Sequence, residues 1–210
     1  MNTQETHSPS FRYKHMVEFI SELQSKICSK LESFDFKPFS EDKWTRPEGG
    51  GGTTNVLMNG SVFEKAGVNI SEIHGVVSES EKAIFSRLLE QQNQNPDHAI
   101  GARYYATGLS TVIHPKNPFI PTTHANYRYF EMVLPNTTLW WYGGGADLTP
   151  YYFFEEDVKH FHSTYKSACD QFDPSYYPTF KKDCDTYFYL PHRHEHRGIG
   201  GIFFDYLNSN

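Results

Sequence analysis

Seven of the chain's 11 histidines (His114, His124, His160, His162, His192, His194 and His196) fall in its second half. The densest cluster lies in Tyr187–Asp205, where His192, His194, His196, Arg193, Arg197 and Glu195 sit between an aromatic run and the Gly200–Gly201 turn. Burying six such side chains without partners is strongly unfavourable, so the cluster points to an anionic ligand, a metal or a solvated loop. His192, His194 and His196 alternate, so an extended backbone would put them on one face able to take zinc or manganese, although that spacing is not specific to a metal. Arg128, Arg193 and Arg197 add guanidinium groups suited to a carboxylate or phosphate. The competing reading pairs them with Glu131, Glu195 or Asp205. Asp147 follows Trp140-Trp141 and Gly143-Gly144-Gly145. A carboxylate beside aromatic walls, with glycines letting the backbone approach a ligand, suits a base acting on a weak acid, and a turn-capping Asp is the alternative. His114 and His124 flank a loop with three prolines; taken alone, they read as loop histidines bonded to backbone carbonyls. His162 lies on an apolar stripe, where a satisfied core histidine is favoured over a ligand.

Composition bounds these options. The net charge of −6 provides no global basic field for nucleic acid or anionic lipid, so any anion must be held by local arginines. Seventeen Phe, 14 Tyr and three Trp argue against disorder and for aromatic walls. Three widely spaced cysteines read as reduced thiols, not as a disulfide framework or a Cys-type zinc site. Residues 1–10 carry no visible targeting pattern, and no apolar run approaches the ~20 residues of a membrane span. Cytoplasmic placement is the expectation.

The elements that must position these side chains are readable in outline. Met16, Ile20, Leu23, Ile27 and Leu31 step by three and four, predicting a helix over Phe11–Phe34. Gly49–Gly52 reads as a flexible loop that is not a Walker motif. Asn59-Gly60 between apolar pairs predicts a hairpin. Ser78 and Glu81 form a capping-box pattern for a helix to about Gln92. Strands are expected at Tyr105–His114, Ala125–Leu134, Leu139–Tyr142 (ending at the glycines) and Ile199–Leu207. The second of these puts Asn126, Arg128, Phe130 and Met132 on one face. Helices follow at Phe154–Phe172 and Tyr177–Phe188. With no repeat or linker, residues 1–210 read as one α+β domain, with a mainly antiparallel sheet flanked by helices on both faces.

Six ordered segments together resemble the oxygen-dependent coproporphyrinogen III oxidases: Gly49–Leu57, Gly60–Asn69, Ser110–Pro115, His124–Arg128, Trp140–Tyr151 and Tyr187–Asp205. The resemblance spans the chain outside Ser78–Asp97. One departure is Asp183, where the family has tryptophan ahead of the cysteine.

The resemblance implies oxidative decarboxylation of two propionates of coproporphyrinogen III to vinyl groups, with O2 as co-substrate. The products would be protoporphyrinogen IX, CO2 and hydrogen peroxide or water. It implies no organic cofactor. His124, Asp147 and Arg128 take the catalytic positions: His124 as proton donor, Asp147 as base or pyrrole-nitrogen partner, and Arg128 as clamp on propionate or peroxide. Ser110, Asn126, Tyr127 and Arg128 match substrate contacts. His114, His124, His162 and His192 match proposed ligands of a divalent metal such as manganese. Family members form homodimers and continue past Asn210 with further helix and strands, so the chain is expected to be incomplete at its C-terminus. An inactive remnant that at most binds tetrapyrrole, or a histidine-rich metal-binding protein, are the rival readings.

Overall fold

A computed structural model describes residues 8–208. Helix α1 spans Phe11–Asp35, the first of four α-helices among the described residues. Strands β1 (Ser40–Thr45), β2 (Gly50–Met58) and β3 (Phe63–Val76) follow, then α2 (Lys82–Gln91) and a short 3₁₀ turn at Pro96–His98. Next come β4 (Arg103–Pro115), β5 (Thr122–Val133), β6 (Thr138–Thr149), α3 (Glu155–Asp170) and α4 (Tyr176–Tyr187). The short strands β7 (Tyr189–Leu190) and β8 (Glu195–His196) precede β9 (Gly201–Leu207). Seven strands form one sheet in the order β1-β2-β3-β4-β5-β6-β9, antiparallel throughout, and β7 and β8 pair separately. The expected α+β class, with helices on both faces, is what the fold has.

Alternation along the strands divides the molecule. One face carries Leu57, Ala66, Val68 and Leu109 beneath Ile20, Cys28 and Leu31 of α1. Farther along that face, Ile202 packs with Phe180 of α4 and Cys169 of α3. The other face is covered only at one end, where Leu89 of α2 meets Tyr104, Met132, Leu139 and Trp141. Leu57, Leu89, Leu109 and Met132 are completely buried. Each contributes about 1.5–3 kcal/mol relative to exposure. The remainder of this second face is an open cleft.

Buried carboxylates fix both ends of α1. Ser10 caps it by accepting the Tyr13 N–H at 3.1 Å, and the Ser10 N–H donates to Glu131 at 2.8 Å. At the other end Asp35 accepts the N–H groups of Ser61, Val62 and Phe63 at 2.6, 3.1 and 2.7 Å. That holds the β2–β3 hairpin, which turns at Asn59-Gly60 as its sequence predicted. Glycine is required at position 60, because a Cβ there would lie 2.0 Å from Asp35 Oδ2.

Three expectations are corrected. Of Gly49–Gly52 only Gly49 lies in a turn: Gly50, Gly51 and Gly52 pair with Ile73, Glu72 and Ser71 as the start of β2. The strand from Leu139 does not stop at its glycines either, since β6 runs on through Asp147 to Thr149. In both places flanking strands supply the hydrogen bonds that overrule glycine's weak strand preference. Finally, His192, His194 and His196 do not share an extended face. The chain turns between Leu190 and Glu195, with His194 at φ 55° and the Arg193 N–H bonded to the Leu190 carbonyl at 3.0 Å.

Candidate functional site

Three cross-strand rows build the cleft floor. The first aligns Val112, His124, Asp147 and Gly201 on β4, β5, β6 and β9. The second aligns Thr54, Asn69, Ser110, Asn126, Gly145 and Phe203. The third aligns Ser71, Gly108, Arg128 and Gly143. Because side chains two residues apart share a face, Ser110, His124, Asn126, Arg128 and Asp147 all enter the same cleft.

Asp147 is the most constrained of them. Its side chain is 1% exposed, yet it holds four polar contacts, three of them from one guanidinium. The guanidinium of Arg197 donates Nε to Oδ2 at 3.0 Å and Nη2 to Oδ1 and Oδ2 at 2.9 and 2.8 Å. His124 Nδ1 meets Oδ1 at 2.9 Å. Arg197 comes from the segment after β8, and its Cζ lies 3.8 Å above the centre of the Phe188 ring. Such a fork-to-fork pair offsets the cost of burying the carboxylate. Nearby, burial first and then the charge of Asp147 push the Cys184 thiol up to about 11.

Asp147 is therefore not the free carboxylate in an apolar wall that its sequence neighbourhood suggested. Its oxygens are engaged by Arg197 and His124. If Nδ1 donates to Asp147, the other ring nitrogen of His124 is left for a ligand or a proton in the cleft.

Arg128 lies flat along the floor. Nη1 donates to Asn126 Oδ1 at 3.1 Å and Nη2 to Asp205 Oδ2 at 3.0 Å. Glycine at 143 makes this possible: a Cβ there would come within 2.6 Å of both Arg128 Nε and Asp205 Oδ1. An irregularity in the β6–β9 pairing, with Tyr206 at φ 55°, delivers Asp205 to that position. The charged end of the cleft has a volume of about 580 Å3 and is walled by Tyr187, Phe188 and Phe203. A second hollow of about 490 Å3 continues across Arg128 and Asn126 to Ser110, Asn69 and Trp44.

Not every expected site residue arrives here. Tyr127, between Asn126 and Arg128, points to the opposite face by strand alternation, and its hydroxyl lies 3.4 Å from that of Tyr165 on α3. Burial pushes the Tyr127 phenol up. The four-histidine metal set does not assemble. His114 and His124 line the cleft, but His162 sits on α3 with Nε2 bonded to the Ile199 carbonyl at 3.1 Å and Nδ1 to the Tyr177 hydroxyl at 2.9 Å. His192 is exposed in the β7–β8 turn. Among the described residues no three His, Cys, Asp or Glu side chains lie close enough to hold a metal ion, so these residues do not fit one in this arrangement.

Phe188 and Phe203 are cleft residues whose roles the sequence did not specify, and Arg197, read as an anion-binding guanidinium, pairs with Asp147, a partner the sequence did not offer. The two-residue step from Phe203 to Asp205 was the available signal. Among the described residues no helix is long and apolar enough to cross a membrane.

Comparison with known proteins adds a consistent result. The family model described as coproporphyrinogen III oxidase matches residues 15–210. The chain is 52% identical over 192 residues to coproporphyrinogen-III oxidase 1, chloroplastic, of Arabidopsis thaliana, covering 89% of this chain and 48% of that protein. It is 50% identical to the oxygen-dependent enzyme of Drosophila melanogaster, covering 93% and 50% of the two chains. For that of Prochlorococcus marinus (strain MIT 9312) the identity is 54%, covering 90% and 51%. The chain thus spans about half the length of these curated relatives.

Proposed function

From the premise that the chain belongs to the coproporphyrinogen III oxidase family, we propose that its cleft binds coproporphyrinogen III and supports oxygen-dependent decarboxylation of two of its propionates. The observation that carries this reading is the joining of two guanidinium groups, a buried carboxylate–imidazole pair and aromatic walls in one cleft. A tetrapyrrole bearing four propionates needs such a mixture of cationic and apolar surface. For each reacting side chain, CO2 leaves the propionate while its β-carbon gives up a hydrogen with two electrons. Dioxygen takes these with one further proton, giving a vinyl group and hydrogen peroxide.

The residues divide that work. Arg128 holds a propionate carboxylate, with Asn126 and Ser110 completing the contact along the floor. His124 carries the proton at the ring nitrogen that faces the cleft. Asp147 and Arg197 position His124 and keep the site's charge balanced, so Asp147 acts as the orienting partner of His124 and not as an unpaired base. Phe188, Phe203 and Tyr187 cover the ring and exclude water. No organic cofactor is called for, because the reduced macrocycle is itself the electron donor. Cytoplasmic placement and assembly into a homodimer belong to the same proposal.

The test is fluorescence detection of protoporphyrin IX, after oxidation of the product, from coproporphyrinogen III incubated with the purified chain in air. Turnover unaffected by chelator supports this scheme. Turnover abolished by chelator would reinstate a metal. Binding without turnover would leave a tetrapyrrole-binding protein.

A further inference from the structure

The row that carries Arg128 crosses the sheet through Trp44, Gly52, Ser71, Gly108, Arg128 and Gly143. Its two bulky members each lie over a glycine. A Cβ at Gly52 would come 2.5 Å from the Trp44 ring, and one at Gly143 would come 2.6 Å from Arg128 Nε, so their neighbours require both glycines. Gly108 is different. Its φ is not positive, and a Cβ there would lie 3.0 Å from the Tyr127 carbonyl oxygen and 3.2 Å from Arg128 Cβ, a crowding relieved by a shift of a few tenths of an ångström. Glycine weakens a strand interior, and one that neither backbone conformation nor a close neighbour demands marks a place where a ligand approaches the chain. Gly108 lies on the floor of the second hollow, beside Ser71 of β3 and between Ala106 and Ser110 of β4. All four residues are small and partly exposed, whereas Trp44, Phe130, Trp141 and Arg128 at the edges of the hollow are bulky.

We infer that Gly108 is a specificity-determining residue: its bare backbone seats the methyl-bearing edge of one pyrrole while the propionate on the adjacent ring carbon reaches Arg128. This rests on the tetrapyrrole reading of the cleft. Each pyrrole of coproporphyrinogen III carries its methyl and its propionate on neighbouring carbons. Gly108 and Arg128 are likewise direct neighbours, opposed on β4 and β5 with their Cα atoms roughly 4.5–5.5 Å apart. The two charged side chains of this hollow, Arg128 and Asp205, are paired with each other at 3.0 Å, so the rest of its lining is uncharged and suits an apolar ring edge. A side chain at position 108 would lift the ring from the floor and draw its propionate away from Arg128. Gly108 thus sets how deeply the macrocycle sits.

Calorimetric titration of the full chain with coproporphyrinogen III under argon tests the assignment, with Tm measured for every variant. Gly108→Ala should weaken binding about threefold and Gly108→Val about thirtyfold, because each added carbon meets a fitted ring. Ser71→Val fills the same hollow from β3, with Gly108 between it and Arg128, and should weaken binding about tenfold. Tm should hold or rise in Gly108→Ala and Ser71→Val, since both replacements suit a strand better than the residues they replace; a role in the fold alone would lower it. If Gly108→Val loses stability, these two variants decide the matter. Affinity within about twofold of the unaltered chain in Gly108→Val, or in both Gly108→Ala and Ser71→Val, overturns the seat and leaves the tetrapyrrole reading standing. A loss at position 108 that Ser71→Val does not share also overturns it, because residue 108 would then act by displacing Arg128. No binding by the unaltered chain overturns both.

Discussion

Two carboxylates on adjacent central strands, Asp147 on β6 and Glu131 on β5, are each about 1% exposed but face opposite sides of the sheet. Glu131 is held by a helix terminus: it accepts the Ser10 N–H at 2.8 Å, the Tyr129 hydroxyl at 2.8 Å and the Ser10 hydroxyl. Asp147 is held by charge, from Arg197 and His124, and borders open space. Burial alone does not separate a structural acid from a functional one. The donors do. Neutral donors from a helix cap tie one element to another, whereas a guanidinium and an imidazole at a cleft wall hold groups a ligand can use.

The sharpest test of that contrast is Asp147→Asn. It keeps the shape but removes the charge that orients His124 and pairs with Arg197, so turnover of coproporphyrinogen III should fall by at least ~100-fold. Activity within tenfold of the unaltered chain would remove Asp147 from any part in proton transfer. Arg128→Ala comes next, with kcat/KM or ligand affinity lowered by the ~1.5–3 kcal/mol of a charge-assisted hydrogen bond. Unchanged kinetics and binding would show that Asp205 and Asn126 have already used up its capacity.

Glu131→Leu should act on the other side of the comparison. Leaving the Ser10 and Tyr129 donors unmet should destabilise the fold by about 1–3 kcal/mol in denaturant unfolding. Ligand affinity should be unaltered; a weakened ligand would collapse the distinction between the two acids.

The smallest effect is expected at His162. Burial, the main cause, holds its imidazole below the usual range, against the opposing pull of the Ile199 carbonyl. The unfolded chain therefore takes up this proton more readily, and stability contributed by the neutral ring is lost as pH falls through the ordinary histidine range near ~6.5. His162→Gln should flatten the dependence of Tm on pH across that range. An unchanged slope would assign the acid sensitivity elsewhere.

How much of this was legible in the sequence depended on backbone neighbours. The step of Asn126, Arg128, Phe130 and Met132 placed one wall correctly, because strand alternation is local. The meeting of His124 with Asp147 was not readable, since it requires β6 to continue through Gly143–Gly145, where glycine ordinarily argues for a break. Tyr127 was misplaced for the opposite reason: a contiguous motif was taken as a contiguous contact, although neighbours on a strand face opposite ways. His162, read from its stripe as a satisfied histidine and from the resemblance as a metal ligand, has both ring nitrogens bonded within the protein. Nothing pointed to Trp44, whose strand is pleated into place beside the glycines that start β2.

The pairing order has a further consequence for how the molecule reaches its final state. Strands β1 to β6 each join a sequence neighbour, so hairpins with short closing loops, and one loop lengthened by α2, can build most of the sheet. Strand β9 instead returns to β6 only after α3, α4 and the β7–β8 turn. The Arg197–Asp147 and Arg128–Asp205 pairs both wait on that return. Chain collapse would therefore precede competence: the sheet can stand before the cleft exists, and ligand binding should be the last property recovered on refolding.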